Sequence, residues 1–348
     1  MLNVGLVGLG PEWEHRYRPA LAKLERRLAV RCVYASIVSQ AEQAAAELGC
    51  DVAPGLLSLM EREDVQALVV LDTAWSGSVP AQFACRVGKP AFLAHRLAYR
   101  LREADQLLRQ AAQTGVMLMP DFGHRYTPAT SRLRELIATR LGRPQVLVVD
   151  VAAACDAGAI GPGAIDMGAI NPGAAELQLS KAARDVLAVA VDWSMNLVGA
   201  VPVAIRAARD ASLAGRLEVN VEFRPPSGGG VAPVALIRLA TQAPASSANS
   251  SANGSDTSIA LRATVECVHG TALLEGPQDV TWKLASAKLA GGNLADERFV
   301  ESLASDRPDV EVMLDHFSRR VVGGLIPVPT LDDLFRALQL VDSAFRIV

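Results

Sequence analysis

Apolar runs and amphipathic segments alternate along the first third of the chain. The apolar runs are short and contain few polar residues, as expected for strands of a parallel sheet that is covered on both faces; they are Val4–Val7, Leu28–Ala35, Ala67–Asp72, Ala91–Arg96 with its loop, and Val116–Met119. Helical spacing separates several of them, at Ser39–Leu48, Leu56–Arg62, Val79–Val87 and Glu103–Thr114. This order predicts a doubly wound parallel sheet, the Rossmann arrangement, as a first domain over residues 1–122.

The pattern changes after Thr127. A helix is predicted at Thr130–Leu141, a strand at Gln145–Ala152 and a long helix at Ser180–Val198. Strand-like segments then follow without helices between them, at Val201–Arg209, Arg216–Arg224, Val234–Thr241, Ile259–Val268, Thr271–Leu274 and Val280–Lys283, and two helices close the chain at Asp309–Val321 and Leu331–Phe345. Residues 123–348 are therefore expected to form a second domain around an open, mainly antiparallel sheet.

One segment of the second domain is expected to lack fixed structure. Residues 243–258 consist almost entirely of Ala, Ser, Asn, Gly, Pro, Asp and Thr and have no apolar anchor until the strand that follows. A segment of this composition buries too little apolar surface to offset the entropy of ordering it. It predicts a disordered loop at the tip of a hairpin.

Composition and charge narrow the range of partners and compartments. Half of the 348 residues are hydrophobic, a fifth are charged and the formal net charge is −3, so nothing favours nucleic acid or an anionic membrane as a partner. The most apolar stretch, Val186–Ile205, is interrupted by Asp192, and Val4 begins a strand with too little chain before it for a signal peptide. The five cysteines form no C-x-x-C pair, which favours buried thiols in a cytoplasmic protein and no metal site.

The first strand leads into a glycine turn. Gly8 and Gly10 follow Val7 directly, and a strand, a G-x-G turn and a helix start are typical of a dinucleotide pyrophosphate site. The third glycine of that pattern would fall at Trp13, so the indole is expected either to push the helix outward or to lie across the cofactor groove. The tip of the second strand ends at Ser36 without the carboxylate that usually binds the adenosine ribose. The sequence therefore predicts a site for NAD or NADP without deciding between the two. The alternative is a Rossmann-shaped domain that binds no dinucleotide and whose glycines only make the turn.

Ligands of doubly wound sheets bind beyond the carboxyl ends of the strands. This rule places four segments around one predicted cleft: Gly8–Trp13, Asp72–Gly77, Ala94–Arg96 and Asp121–Arg125. Trp75 and Trp13 would lie on the floor of this cleft, unless they are ordinary core residues.

The order of these motifs resembles the glucose–fructose oxidoreductase / inositol dehydrogenase / MocA family. The likeness extends over nearly the whole chain and includes Val4–Gly10, the segment from Gly88 to Ala98, Arg125 with Pro128, and the segment from Arg184 to Gly199. The resemblance implies hydride transfer between a nicotinamide cofactor and a sugar, polyol or related hydroxy compound. It also implies a homodimer or homotetramer that forms through the C-terminal sheet.

The catalytic positions implied by this resemblance are altered. Catalytic members carry Glu-Lys-Pro where this chain has Ala94, His95 and Arg96, and they carry an Asp and a His four residues apart where this chain has Asp185 and Val189. Valine cannot take the hydroxyl proton that leaves during alcohol oxidation, a transfer that typically contributes about 100- to 10,000-fold to the rate.

His95 and Asp185 are the catalytic candidates that remain. A histidine side chain ordinarily titrates near neutral pH, so His95 would act as acid and base, with Asp185 orienting its ring. The alternative for His95 is a loop histidine that is hydrogen-bonded to the backbone. The alternative for Asp185 is an acid near the start of a helix that pairs with Lys181. Lys181 is either a solvated charge or a replacement for the missing lysine. Arg96 and Arg125 would clamp a carboxylate or phosphate of the substrate, or hold ion pairs between domains.

The sequence leaves two functions open. The first is an NAD(P)-dependent oxidoreductase of this family type with a degenerate catalytic site. The second is a catalytically inactive relative that binds a small molecule or serves as a scaffold, because the phosphate turn, the ribose site and both proton-handling positions are altered together.

Overall fold

The computed structural model describes residues 1–73, 76–94, 101–154, 181–209, 216–227, 230–242, 261–285, 298–304 and 307–345. The described chain divides into two compact units. The first contains Met1–Tyr126 and Arg307–Arg336, and the second contains most of the remaining chain from Thr127 onward. The boundary between residues 122 and 123 stays a prediction.

The first unit is built on a six-stranded parallel sheet with the order β3-β2-β1-β4-β5-β6, which confirms the predicted Rossmann arrangement. Its strands are β1 (Leu2–Val7), β2 (Leu28–Tyr34), β3 (Asp51–Val52), β4 (Ala67–Val70), β5 (Ala91–Leu93) and β6 (Leu118–Pro120). The edge strand β3 was not predicted. It has only two residues, both exposed, and so lacks an apolar run.

The helices of the first unit follow the predicted segments closely. They are α1 (Arg18–Lys23), α2 (Val38–Leu48), α3 (Leu56–Met60), α4 (Val79–Val87) and α5 (Leu101–Thr114). A π-helical turn, Trp13–Tyr17, precedes α1. Gly49 and Gly88 end α2 and α4 with left-handed backbone angles, as glycine commonly does at a helix C-terminus.

A later helix completes the core of the first unit. Helix α8 (Asp309–Val321) buries Val310, Met313, Leu314 and Phe317 in the same cluster as the residues of β1 and β4. The Phe92 ring lies edge-on between the rings of Tyr17 and Phe317, at centroid distances of 6.3 and 6.0 Å. The Rossmann core therefore depends on a segment that lies far away in the sequence.

The second unit is built on an eight-stranded sheet with the order β14-β13-β12-β11-β7-β10-β9-β8. Its strands are β7 (Pro144–Ala154), β8 (Pro202–Arg209), β9 (Arg216–Phe223), β10 (Val234–Gln242), β11 (Leu261–Cys267), β12 (Gly270–Glu275), β13 (Asp279–Leu284) and β14 (Arg298–Ser302). All pairs are antiparallel except β7 with β10, which is parallel. The predicted open, mainly antiparallel sheet is confirmed, and β14 is an additional edge strand. The predicted disordered loop at 243–258 lies outside the described residues.

The described residues contain three further helices: α6 (Pro128–Leu136), followed by a π-helical turn at Ile137–Leu141, α7 (Lys181–Val198) and α9 (Leu331–Phe345). Helix α7 packs on β7 and β10, and α6 packs on β12 and β13. Trp193 of α7 is buried and donates its indole N–H to the hydroxyl of Thr130, 3.1 Å away. Thr127 caps α6 by accepting a hydrogen bond from the Thr130 amide, so the start of α6 and the middle of α7 are fixed together.

Candidate functional site

The glycine turn closes the carboxyl end of β1. Gly8 and Gly10 have φ values of +71° and +63°, a region that costs other residues roughly 1–2 kcal/mol. The chain after β4 also passes close to both glycines. A Cβ at Gly8 would lie 2.7 Å from the Cβ of Asp72, and a Cβ at Gly10 would lie 3.0 Å from the carbonyl oxygen of Leu71. Both glycines are thus required by backbone conformation and by the approach of the neighbouring strand end.

The segment after the turn differs from an ordinary phosphate cradle. Pro11 has no backbone N–H, so the turn has one donor fewer for an anion. Glu12 and Glu14 then place two carboxylates at the start of the helical segment, where a bound phosphate would otherwise meet positive dipole ends. Both carboxylates are ion-paired, Glu12 with Arg16 at 2.9 Å and Glu14 with Arg18 at 3.0 Å.

Trp13 occupies the position of the missing third glycine. Its side chain is buried in the core of the first unit, with 5% of the residue exposed. The chain forms the π-helical turn at this residue, a rare i→i+5 arrangement that is frequent at functional sites. The indole also lines a small pocket of about 170 Å³ beside the glycine turn, together with Leu9, Gly10, Glu14, Gln40, Gln43, Ala44 and Glu47.

A buried charge network lies next to the carboxyl end of β6. Arg16 donates to Asp121 Oδ2 at 2.7 Å and to Asp309 Oδ2 at 2.9 Å, and the Tyr17 hydroxyl donates to Asp121 Oδ2 at 2.7 Å. The second carboxylate oxygen of Asp121 accepts from the Gly123 amide at 2.8 Å. The Asp121 side chain has no exposed surface, so its charge depends on these donors.

The electrostatics of this network favour one protonation state. Burial opposes the charge of Arg16, but Asp121 and the weaker contributions of Tyr17, Asp309 and Glu12 hold the pKa of the guanidinium well above its ordinary value. Burial and then the Asp121 carboxylate raise the pKa of the Tyr17 hydroxyl well above its ordinary value. Arg16 therefore stays charged and Tyr17 stays a donor at any working pH. The sequence placed Asp121 at the predicted cleft, but it gave no sign of its partners.

The remaining predicted cofactor and substrate residues are distributed as follows. Ser36 is exposed in the bend that follows β2. The Arg125 guanidinium lies 3.3 Å from Asp333 Oδ2 and 4.8 Å from the centre of the Phe122 ring, with 11% of its side chain exposed. Arg125 therefore makes an ion pair within the first unit. His95, Arg96 and Trp75 lie outside the described residues.

Helix α7 carries the other two predicted polar positions. Asp185 is half-buried on its second turn, and Lys181 is its first residue. Val189, four residues after Asp185, is buried with 2% exposure. An inert, buried side chain therefore stands where the resemblance implies a proton-handling histidine.

The described cysteines and possible metal ligands were compared with the needs of thiol chemistry and metal binding. Cys32, Cys50, Cys85 and Cys267 are unpaired thiols, and burial raises the pKa of Cys50 and Cys267 to about 11. No three histidine, cysteine or carboxylate side chains of the described ranges are grouped as metal ligands would be. Over the same part of the chain, no helix has the length and apolarity needed to cross a bilayer.

A six-stranded parallel sheet with a glycine turn after its first strand defines the class of dinucleotide-binding Rossmann domains. Residues 2–122 match the model of the GFO_IDH_MocA family, described as an oxidoreductase family with an NAD-binding Rossmann fold. The resemblance predicted from the sequence is thus confirmed by the match of residues 2–122 to the model of this family.

Solved structures share the fold over both domains. The chain is similar to UDP-N-acetylglucosamine 3-dehydrogenase GnnA from Acidithiobacillus ferrooxidans, with 18% identity, a TM-score of 0.68 and coverage of 99% of this chain and 96% of that chain. It is also similar to aldose-aldose oxidoreductase from Caulobacter crescentus complexed with glycerol, with 16% identity, a TM-score of 0.71 and the same coverage. A third similar structure is an oxidoreductase from Agrobacterium radiobacter in complex with NAD+, L-tartaric acid and magnesium, with 12% identity, a TM-score of 0.70 and coverage of 99% and 95%. No curated protein matches the chain in sequence.

Proposed function

We propose that the chain is an NAD(P)-dependent oxidoreductase that acts on a sugar, polyol or related hydroxy compound through a degenerate catalytic site. The observation that carries this proposal is the glycine turn, whose two positive-φ glycines lie between β1 and the end of β4 inside the segment that matches an NAD-binding family. The similar structures named above include a sugar-nucleotide dehydrogenase and an enzyme bound to NAD+, which supports the substrate class and the cofactor.

The residues of the turn fit a dinucleotide in backbone geometry but offer it a weakened site. Gly8 and Gly10 let the chain curve closely enough for a pyrophosphate to approach the backbone. Pro11 removes one donor, and the paired carboxylates of Glu12 and Glu14 reduce the attraction for phosphate. Ser36 would face the adenosine ribose with a hydroxyl in place of a carboxylate, and Trp13 and Trp75 would border the cofactor. We therefore expect the chain to bind a nicotinamide dinucleotide saturably but weakly.

The chemistry would be divided between the cofactor and a small set of side chains. A bound nicotinamide would supply the hydride acceptor or donor. In alcohol oxidation, an imidazole nitrogen of His95 would take the proton of the substrate hydroxyl, and Asp185 would orient the ring. Arg96, Arg125 and Lys181 would contact polar groups of the substrate, although Arg125 would first have to leave Asp333.

A charge-removing variant at the turn tests the cofactor proposal. Replacing Glu14 by glutamine removes one negative charge from the first turn of the helical segment, where a charge is worth about 0.3–1 kcal/mol. We expect the Kd for NADH to fall by about two- to fivefold, measured by isothermal titration calorimetry at low ionic strength. Glu61→Gln, an exposed carboxylate at the end of α3, is the matched control. An unchanged or higher Kd in Glu14→Gln would count against a pyrophosphate at this turn.

A catalytically inactive, ligand-binding relative is the second candidate, and specific observations favour it. Pro11, Glu12 and Glu14 weaken the anion site, and the buried Val189 removes a proton-handling group. Hydride transfer between NADH and a polyol-derived carbonyl compound, lost in His95→Ala, would exclude this second function.

We also propose that the chain is a homodimer or homotetramer that forms through the second sheet. Val146 and Val148 of β7 are register partners of Val234 and Leu236 of β10, and all four are only partly buried. Intervening positions such as Leu147 and Val149 are fully buried, so the four side chains lie on the other face of the sheet. An apolar strip of this kind is typical of an interface between copies.

Light scattering tests the proposed oligomer. We expect an oligomer for the native chain and a smaller species for Val148→Glu, because a carboxylate in the strip would be desolvated on association. Val203→Glu, at an exposed position of the edge strand β8, should keep the native mass. A native chain that is monomeric at micromolar concentration would overturn the proposal.

We also propose a cytoplasmic location. The unpaired thiols support it, because a reducing compartment keeps cysteines from forming disulfides.

A further inference from the structure

The small pocket beside the glycine turn has an acidic lining. Its volume is about 170 Å³, and its lining includes Gly10, Trp13, Glu14, Gln40, Gln43 and Glu47. Pockets that enclose a whole drug-sized ligand usually have about 300–1,000 Å³. This pocket therefore has room for only one part of a dinucleotide.

The position of the pocket relates it to the adenosine ribose of a dinucleotide. The Gly8 amide donates to the carbonyl oxygen of Tyr34 at 2.7 Å, so the glycine turn and the tip of β2 are directly joined. Helix α2 begins at Val38, shortly after that tip, and contributes one wall of the pocket. In Rossmann domains the adenosine ribose binds near the glycine turn and the end of the second strand. A phosphate on that ribose would therefore come close to the side chains of this pocket.

The two carboxylates of the pocket share one guanidinium. Arg18 Nη2 lies 3.0 Å from Glu14 Oε2, and Arg18 Nη1 lies 2.9 Å from Glu47 Oε2. The side-chain amide of Gln43 also donates to Glu47 Oε1, at 3.2 Å. Within the described ranges neither carboxylate pairs with a second cation.

These contacts keep the Arg18–Glu47 pair ionised. The hydrogen bond from Arg18 lowers the pKa of the Glu47 carboxyl, and the same hydrogen bond raises the pKa of the Arg18 guanidinium. Two negative charges therefore accompany one positive charge, and each terminal nitrogen of that guanidinium already has a carboxylate partner. A phosphate that entered the pocket would be repelled by both carboxylates.

The sequence around the tip of β2 offers no cation to offset this repulsion. Residues 32–61, which include the tip and the whole of α2, contain no lysine, arginine or histidine. Rossmann domains that accept NADP use a nearby arginine to accommodate the 2′-phosphate of the adenosine ribose. In this chain the same phosphate would meet carboxylates.

We propose that the chain selects NAD over NADP, and that Glu14 and Glu47 make this selection by repelling the 2′-phosphate of NADP. The proposal rests on the function proposed above, because it concerns the dinucleotide of the same site. Specificity of this kind acts against the wrong ligand and needs no added contact with the right one. It is therefore compatible with Ser36 in place of the usual ribose-binding carboxylate at the tip of β2.

Isothermal titration calorimetry of the 348-residue chain with NADH and with NADPH, at low ionic strength, tests the proposal. We expect the Kd for NADPH to exceed that for NADH by about tenfold or more. Glu47→Gln removes one repelling charge and keeps an oxygen that can accept a hydrogen bond from Arg18. In this variant we expect the ratio of the two Kd values to fall by about fivefold.

Glu42→Gln is the matched control. Glu42 is an exposed carboxylate on the same helix as Glu47, and it is not among the described residues that line the pocket. We expect this variant to keep the native ratio.

Three results would overturn the selection and leave the proposed function in place. They are equal Kd values for the two dinucleotides in the native chain, tighter binding of NADPH, and a ratio in Glu47→Gln that is no lower than in Glu42→Gln. Failure of the native chain and of both variants to bind either dinucleotide would instead contradict the proposed function, and the selection with it.

Discussion

Replacing Arg16 by methionine is expected to lower the free energy of unfolding by about 3–5 kcal/mol. Methionine keeps much of the volume of the side chain but removes the charge. Asp121, whose side chain has no exposed surface, would then lose its guanidinium partner, while neutral donors such as the Tyr17 hydroxyl and the Gly123 amide would remain. Breaking a buried pair from one side costs far more than the pair contributes, because a charge is left without compensation. Urea unfolding followed by circular dichroism measures the loss.

Arg18→Met is the matched control for this experiment. Arg18 lies two residues further along, and it also bridges two carboxylates, Glu14 and Glu47, at 3.0 and 2.9 Å. Its side chain is 41% exposed, whereas that of Arg16 is 15% exposed. We expect a much smaller loss because water and salt screen an exposed pair. Equal losses in the two variants would show that burial of the network has no energetic consequence.

Replacing Gly8 by alanine is expected to cost about 2–4 kcal/mol of stability. Two effects add: the positive φ of +71° strains any residue with a Cβ, and that Cβ would lie 2.7 Å from the Cβ of Asp72. The turn and the end of β4 would have to separate. The same variant should also weaken dinucleotide binding, because the turn is the proposed pyrophosphate site. Chemical denaturation and NADH titration of the same preparation provide both values.

Gly49→Ala separates strain from crowding. Gly49 ends α2 with a φ of +65°, close to that of Gly8, but a Cβ there would meet no atom within 4 Å. We expect a loss of only about 1 kcal/mol and unchanged affinity for NADH. If Gly8→Ala and Gly49→Ala lost the same stability, the close approach of Asp72 would contribute nothing to the loss in Gly8→Ala.

Most of the fold could be predicted because its elements carry local signals. The predicted bounds of the helices Val79–Val87 and Asp309–Val321 agree with the structure, since glycine follows the first and a proline precedes an acidic first turn in the second. Strand β3 escaped prediction because two exposed residues have no periodicity. The parallel pairing of β7 with β10 is set by tertiary packing, which no local pattern encodes.

The candidate site was less predictable because its contacts join residues that are far apart in the sequence. The Arg16–Asp121 pair joins residues 105 positions apart, and an arginine in an amphipathic helix gives no sign that it will be buried. At Trp13 the sequence predicted that the indole would push the helix outward or lie across the groove, but it gave no sign of the π-helical turn that the chain forms there. The glycine turn itself was predictable, because positive φ and a short strand-to-helix connection leave few other residue types.

Titration of the purified 348-residue chain with NADH and NADPH, measured by isothermal titration calorimetry, tests the central claim most directly. The account predicts saturable, weak binding of at least one dinucleotide, tighter in Glu14→Gln and weaker in Gly8→Ala. Absence of saturable binding at millimolar dinucleotide, in the native chain and in Glu14→Gln alike, would contradict it and leave a Rossmann domain whose glycines serve only the turn.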